Sequence, residues 1–262
     1  GTVTFEDNVT ATSVTTAAGG YALSLQGGST TITNTVTFEN TGALTLGNDN
    51  GDTLVFTSGM TAATPSMVNV RGTLRAAGVA EINVGDSDTG VEVSGTTVIG
   101  GVSTGNITVA AVTLADGADL TIGGNTSSNV SVASVAGTAD GSASDLTFNT
   151  AGTVTVTGAV GTDIGTLTLT RGEGITFQNT VQADTLAIAN NVAKSGNLLS
   201  FQDNLTVNTG MTVGTGSYDI SFTGADNTIA GNTTFENTGA LTLGNDNGDT
   251  LVFTGGMTAA SP

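Results

Sequence analysis

Short runs of strict alternation dominate the chain. TVTVTG from Thr153, TLTLT from Thr166, GALTLG from Gly42 and ADLTIG from Ala118 each set Val, Leu or Ile on one side and Thr on the other. Side chains on extended backbone point alternately to opposite faces, so a period of two describes a strand with one buried face. Gly, Asn and Asp punctuate nearly every run, as turns require. A persistent helical stripe is absent. The nearest helical candidate, ANNVAKSGNLL from Ala189, is short and interrupted by Gly196. The pattern predicts an all-β chain with strands of about four to six residues.

A long internal repeat overlies this pattern. Residues 38–65 read FENTGALTLGNDNGDTLVFTSGMTAATP and residues 235–262 read FENTGALTLGNDNGDTLVFTGGMTAASP; only Ser58/Gly255 and Thr64/Ser261 differ. The period is 197 residues, and the same offset pairs Tyr21 with Tyr218, while Phe5 pairs with Phe201 at 196. Residues 1–65 thus recur as 198–262, and 66–197 complete the unit. The whole chain, 1–262, reads as one continuous repeat array, and its start at Gly1 without an initiator Met suits a mature or internal fragment.

Two architectures accommodate such strands, tandem β-sandwiches or a parallel β-helix. A sandwich anchors its core on large residues such as a buried Trp, and here Trp is absent and Tyr numbers two. A solenoid needs only a narrow interior, filled by like residues of adjacent coils about 4.8 Å apart. The right-handed parallel β-helix is therefore the preferred fold, with tandem sandwiches as the alternative.

Charge narrows the partners. There are 22 acidic residues against four basic ones, a net charge of −18. Such a surface repels phosphate backbones, so nucleic acid is not expected as a partner. No apolar run approaches the roughly 20 residues of a membrane-spanning helix, so direct membrane insertion is not expected either. With no Cys, disulfides and thiolate metal sites are impossible.

A second motif links the strands. VTFEDNVTATSV from Val3, VTFENTGALTL from Val36, ITFQNTVQADTLAI from Ile175, LSFQDNLTV from Leu199 and TTFENTGALTL from Thr233 share Phe, then Glu or Gln, then Asn or Asp; Phe148 heads a looser copy. With the Thr/Gly/Asn/Val bias, the scarcity of Lys and the absence of Cys, this [ST]-F-[EQ]-[DN]-[NT]-[VGL] pattern resembles bacterial autotransporter passengers and filamentous-haemagglutinin-type adhesins. The resemblance implies a right-handed parallel β-helix exported to the cell surface and used in adhesion or as a fibre. The near-exact duplication is tighter than the diffuse repeats of many adhesins and favours a long uniform filament whose main partner is itself, with a surface or glycan ligand as a further expectation.

Candidate chemistry is sparse. Without His or Cys, Ser-His-Asp and Cys-His catalysis and His-based zinc sites are excluded. Lys194 and Ser195 are adjacent, and strand neighbours point apart, so they do not make a Ser/Lys pair. Arg71, Arg75, Glu81, Asp86 and Asp88 are the one place where two Arg lie close to several acids. They carry the alternative reading, a β-helical protein that binds or cleaves polysaccharide, against a surface ion-pair patch of small energetic worth. Sugar clefts usually add aromatic rings, which this region lacks.

Calcium is the one candidate cofactor. GNDNGDT from Gly47, its copy from Gly244 and GDSDTG from Gly85 space short carboxylates around glycine, as calcium loops do. The candidate ligands are Asp49, Asp52, Asp86, Asp88, Asp246 and Asp249; the distal bidentate Glu of an EF-hand is missing, and ordinary β-turns use the same residues. Outward T-x-T runs would suit an ice-binding face, but they read as short and out of phase. The sequence therefore points to a secreted, non-enzymatic structural protein.

Overall fold

The computed structural model describes residues 1–139, 141–190, 192 and 196–259. Every named element among them is a strand, and the chain winds as a parallel β-solenoid of about 11 turns. Sandwich sheets are antiparallel, so the tandem-sandwich alternative falls. No helix among the described residues is long and apolar enough to cross a membrane. Lys194 and Ser195 lie outside the described residues, as do Ala260, Ser261 and Pro262.

Each turn has three sides. On side 1, Thr2–Phe5 is followed by Ala22–Leu25, Leu44–Leu46 and residues 68–70. Side 2 stacks Val9–Ala11, Ser29–Ile32, Thr53–Phe56 and residues 73–76. Side 3 stacks Val36–Thr37, Met60–Ala62, Ile82–Val84 and residues 107–109. A typical strand places two residues inward and one outward, as in Val154–Val156, where Val154 and Val156 are buried and Thr155 faces out. This is the alternation seen in the sequence.

Coil length varies. Twenty residues separate Val3 from Leu23, its partner one coil on, whereas 25 separate Val135 from Val160. The Phe motifs are irregularly spaced chiefly because they fall on different sides: Phe5 is on side 1, Phe38, Phe177 and Phe201 on side 3 and Phe235 on side 2. Some strands are also longer than the alternation predicts: Met67–Ala76 has 10 residues and Gly90–Gly100 has 11. Both run along side 1, round a corner and continue on side 2. Gly72 permits the first of these corners. Its φ is +82°, and a Cβ there would lie 2.5 Å from the backbone oxygen of Asp52, a position open only to glycine.

The Phe motif fills the interior. Phe177, Phe201 and Phe222 stack on side 3 with centroids 5.1 and 5.3 Å apart and planes inclined by 8° and 16°. Like residues of successive coils meet because the coils superpose, and offset ring stacking adds to their area burial. In the two repeat copies the Asn of the motif turns inward too, unlike the exposed Asn179: Asn40 is buried, and its Nδ2 donates to Gly42 O at 3.0 Å and to Tyr21 O at 3.4 Å, pinning a corner to the preceding coil. Asn237 repeats these contacts with Tyr218 O and Gly239 O.

The two copies of the repeat do not lie on the same sides. Leu44–Leu46 is on side 1, but its copy Leu241–Leu243 is on side 3. Likewise Thr53–Phe56 is on side 2 and its copy Thr250–Phe253 on side 1. Eight full coils carry side 1 from Leu44 to Asp226–Ile229, and two more sides bring the chain to Leu241. One 197-residue unit therefore spans 26 sides rather than a whole number of three-sided coils. Local packing survives the displacement: Phe38 meets Phe56 edge-on at 5.8 Å and 83°, and Phe235 meets Phe253 at 6.0 Å and 82°.

Candidate functional site

The acidic turns occupy corners of the prism. Between sides 1 and 2, Gly47 has φ +82° and opens a turn that brings Asp52 back under its own backbone. Asp52 Oδ2 accepts from the N–H groups of Asn48 at 2.8 Å and Asp49 at 3.0 Å, and the side chain is 5% exposed. With its amide nitrogen toward these oxygens, Asn48 donates to Asp52 Oδ2 at 3.0 Å and to Gln26 O at 2.9 Å. Asp49 Oδ1 accepts from Gly51 N–H at 3.2 Å. From the next coil, Arg71 Nε donates to Asn50 Oδ1 at 2.8 Å and its Nη1 to Asn48 O at 3.2 Å, closing the turn from outside.

The copy is built alike. Asp249 Oδ2 accepts from Asn245 N–H at 2.7 Å and Asp246 N–H at 3.0 Å, and Asp246 Oδ1 from Asn247 N–H at 2.6 Å. At another corner, Asp86 Oδ1 accepts from the N–H groups of Asp88 and Thr89, both at 2.9 Å, while Asp88 is exposed. Five of the six candidate calcium ligands thus aim a carboxylate oxygen at backbone donors of their own turn. No group of three or more acidic side chains converges in a metal-holding arrangement among the described residues. The geometry is that of turn capping, in which an anionic oxygen satisfies N–H groups that the bend leaves without ladder partners.

The Arg71 group is likewise dispersed. Arg71 stands at the corner between sides 1 and 2, Arg75 on side 2, Glu81 at the approach to side 3, and Asp86 and Asp88 at the corner beyond it. Closeness in sequence here means positions spread around one coil. Glu81 Oε1 accepts from Asn106 Nδ2 of the coil above at 3.4 Å, an axial contact between corners.

Between its corners, side 3 is neutral along the coils from Thr37 to Thr176. On side 3 the outward residues Thr37, Thr61, Asn83, Thr108, Ser131, Thr155 and Thr176 stand in one register column. The T-x-T runs themselves stay on different sides, with TLTLT from Thr166 on side 2 and GALTLG from Gly42 on side 1, while the side 3 column takes one residue from each coil and includes Asn83 and Ser131. Each coil contributes a single outward residue on this side, so the column is one residue wide. Depressions beside it are lined by Asn106, Thr108, Asn129, Ser131, Thr153 and Thr155. What sequence reasoning missed is this column and the face to which each strand belongs; the signal is the central Thr, Ser or Asn of the three-residue strands, legible only once coil boundaries are known.

No family model, curated protein or solved structure matches the chain. The architecture defines a β-helical repeat protein.

Proposed function

We propose that the chain is a non-enzymatic segment of an extracellular or cell-surface fibre or adhesin, working by assembly with copies of itself. The observation that carries this reading is the repeat at a period of 197 residues: the opening third of the unit recurs in the same stack with its ring pairs, corner asparagines and capped turns reproduced. Selection for the same coils twice is the mark of a quasi-one-dimensional array, in which each coil needs only its neighbours and added units lengthen the rod. The acidic surface opposes lateral clumping while leaving axial stacking open. The Phe motif's likeness to autotransporter passengers and filamentous haemagglutinins supports placement outside the cell.

Electron microscopy of the native material tests the reading. Unbranched fibres whose thickness matches one solenoid are expected. Isolated short particles from a gene encoding only these residues would overturn it, as would release of new ends from a panel of acidic and neutral polysaccharides.

A further inference from the structure

The displacement of the two repeat copies sets the geometry of any array they build. Because one unit spans 26 sides, it ends one side short of nine full coils. At about 4.8 Å per coil, the unit rises about 42 Å along the axis. We propose that successive units are related by a screw, each advanced by about 42 Å and turned by one side of the prism, so that three units restore the starting side after 26 coils, or about 125 Å. This deepens the fibre reading and rests on it.

The consequence is a fibre with no blank side. A feature carried once per unit passes from side 3 to side 2 to side 1 and returns only with the fourth unit. The neutral column of side 3 already shows the step: it contains Thr37 and Thr61, and their copies Thr234 and Thr258 lie on the strands Thr233–Phe235 and Met257–Ala259, which pair with each other as the next coils of side 2. The capped acidic turn moves likewise, from the corner between sides 1 and 2 at Gly47 to the corner between sides 3 and 1 at Gly244. A flat surface meeting such a fibre from any direction meets the same features, spaced by about 125 Å. A whole number of coils would instead stack every copy on one side and leave the other two without it.

The reproduction of contacts shows why the step is tolerated. The Phe38–Phe56 pair joins side 3 of one coil to side 2 of the next, and the Phe235–Phe253 pair joins side 2 to side 1. Both pairs step back one side over one coil. A prism whose sides accept the same coil in any of three settings keeps the ring pairs, corner asparagines and capped turns through a one-side offset.

The chain has no Cys, so spin labels on introduced cysteines report single sites. In one arm, the full chain carries Gly51→Cys paired either with Gly248→Cys, its repeat copy, or with Asn232→Cys, which shares its corner eight coils on. The axial difference between the pairs is only about 3 Å, two-thirds of a coil. The expected result is a Gly51–Gly248 distance longer than Gly51–Asn232 by clearly more than that, through the added width of the prism. A difference of about 3 Å would put both copies on one corner and overturn the offset. In the second arm, helical reconstruction of native filaments should give a rise of about 42 Å per unit with the turn on a new corner each time. Filaments that show the turn on one corner at every unit would overturn the screw and leave the fibre reading standing. If no filaments form, the fibre reading fails, and the label distances alone accept or reject the offset.

Discussion

At the scale of single residues, the interior is specified by a few large side chains and a few buried amides. Phe201 lies between Phe177 and Phe222 with no exposure, and Phe201→Ala removes a ring from both contacts and leaves a cavity. The expected loss is about 3–5 kcal/mol in denaturant unfolding; a loss below about 1 kcal/mol would mean that the coils collapse onto the gap. Tyr218 gives a second test. Burial, with nearby Glu236 adding to it, pushes its hydroxyl up to about 12, above the value of about 10 for an unfolded tyrosine. The folded state therefore holds this proton more tightly, and the resulting stability is complete below about pH 10 and lost as the pH rises toward 12. The unfolding midpoint should fall through that window, and Tyr218→Phe should flatten the fall. An identical alkaline slope in the variant would remove Tyr218 as the cause. The recurrence of the Phe was legible in the sequence, but its place in the core became plain only with the register that stacks Phe177, Phe201 and Phe222. The inward Asn40 was not legible, because its burial depends on the carbonyl of Tyr21 in the coil below.

At the scale of elements, strands were legible and corners were not. TVTVTG names its own buried face, since Val154 and Val156 are enclosed and Thr155 is not. The turn GNDNGDT, by contrast, has the composition of both a calcium loop and a capped bend, and only the direction of its carboxylates separates the two. Asp52 and Asp249 aim at backbone N–H groups. Asp52→Ala should therefore cost about 1–3 kcal/mol, the penalty for leaving buried donors unpaired. The exposed Asp88→Ala should stay within about 0.5 kcal/mol. If these carboxylates serve only as turn caps, excess chelator is expected to leave the melting temperature unchanged, since a structural calcium bound only by the folded state would add stability that chelation removes. A chelator-induced drop that disappears in Asp86→Asn or Asp49→Asn would restore calcium to these turns.

At the scale of the whole molecule, the period of 197 residues was plain in the sequence, but its translation into 26 sides was not. Coils take from 19 residues, as from Leu167 to Leu186, to 26, as from Leu120 to Leu146, as corners lengthen or shorten, so a residue count does not yield a face. Register does, because each strand is fixed by the strand beneath it. The same nearest-neighbour logic fixes how size should scale. Each coil adds about 4.8 Å to the axis and nothing to the cross-section. A chain lengthened by one further 197-residue unit should therefore gain about 42 Å in maximum dimension by small-angle scattering, with its cross-sectional radius unchanged. A packed globule would instead grow in every direction, its radius rising as roughly the 0.38 power of length. Scattering from the two lengths at matched ionic strength separates these outcomes. Ionic strength must be matched because the net charge of −18 makes neighbouring molecules repel and distorts the low-angle region until salt screens them. Growth in cross-section with little gain in length would mean that added units fold back against the first, and the axial array would have to be abandoned.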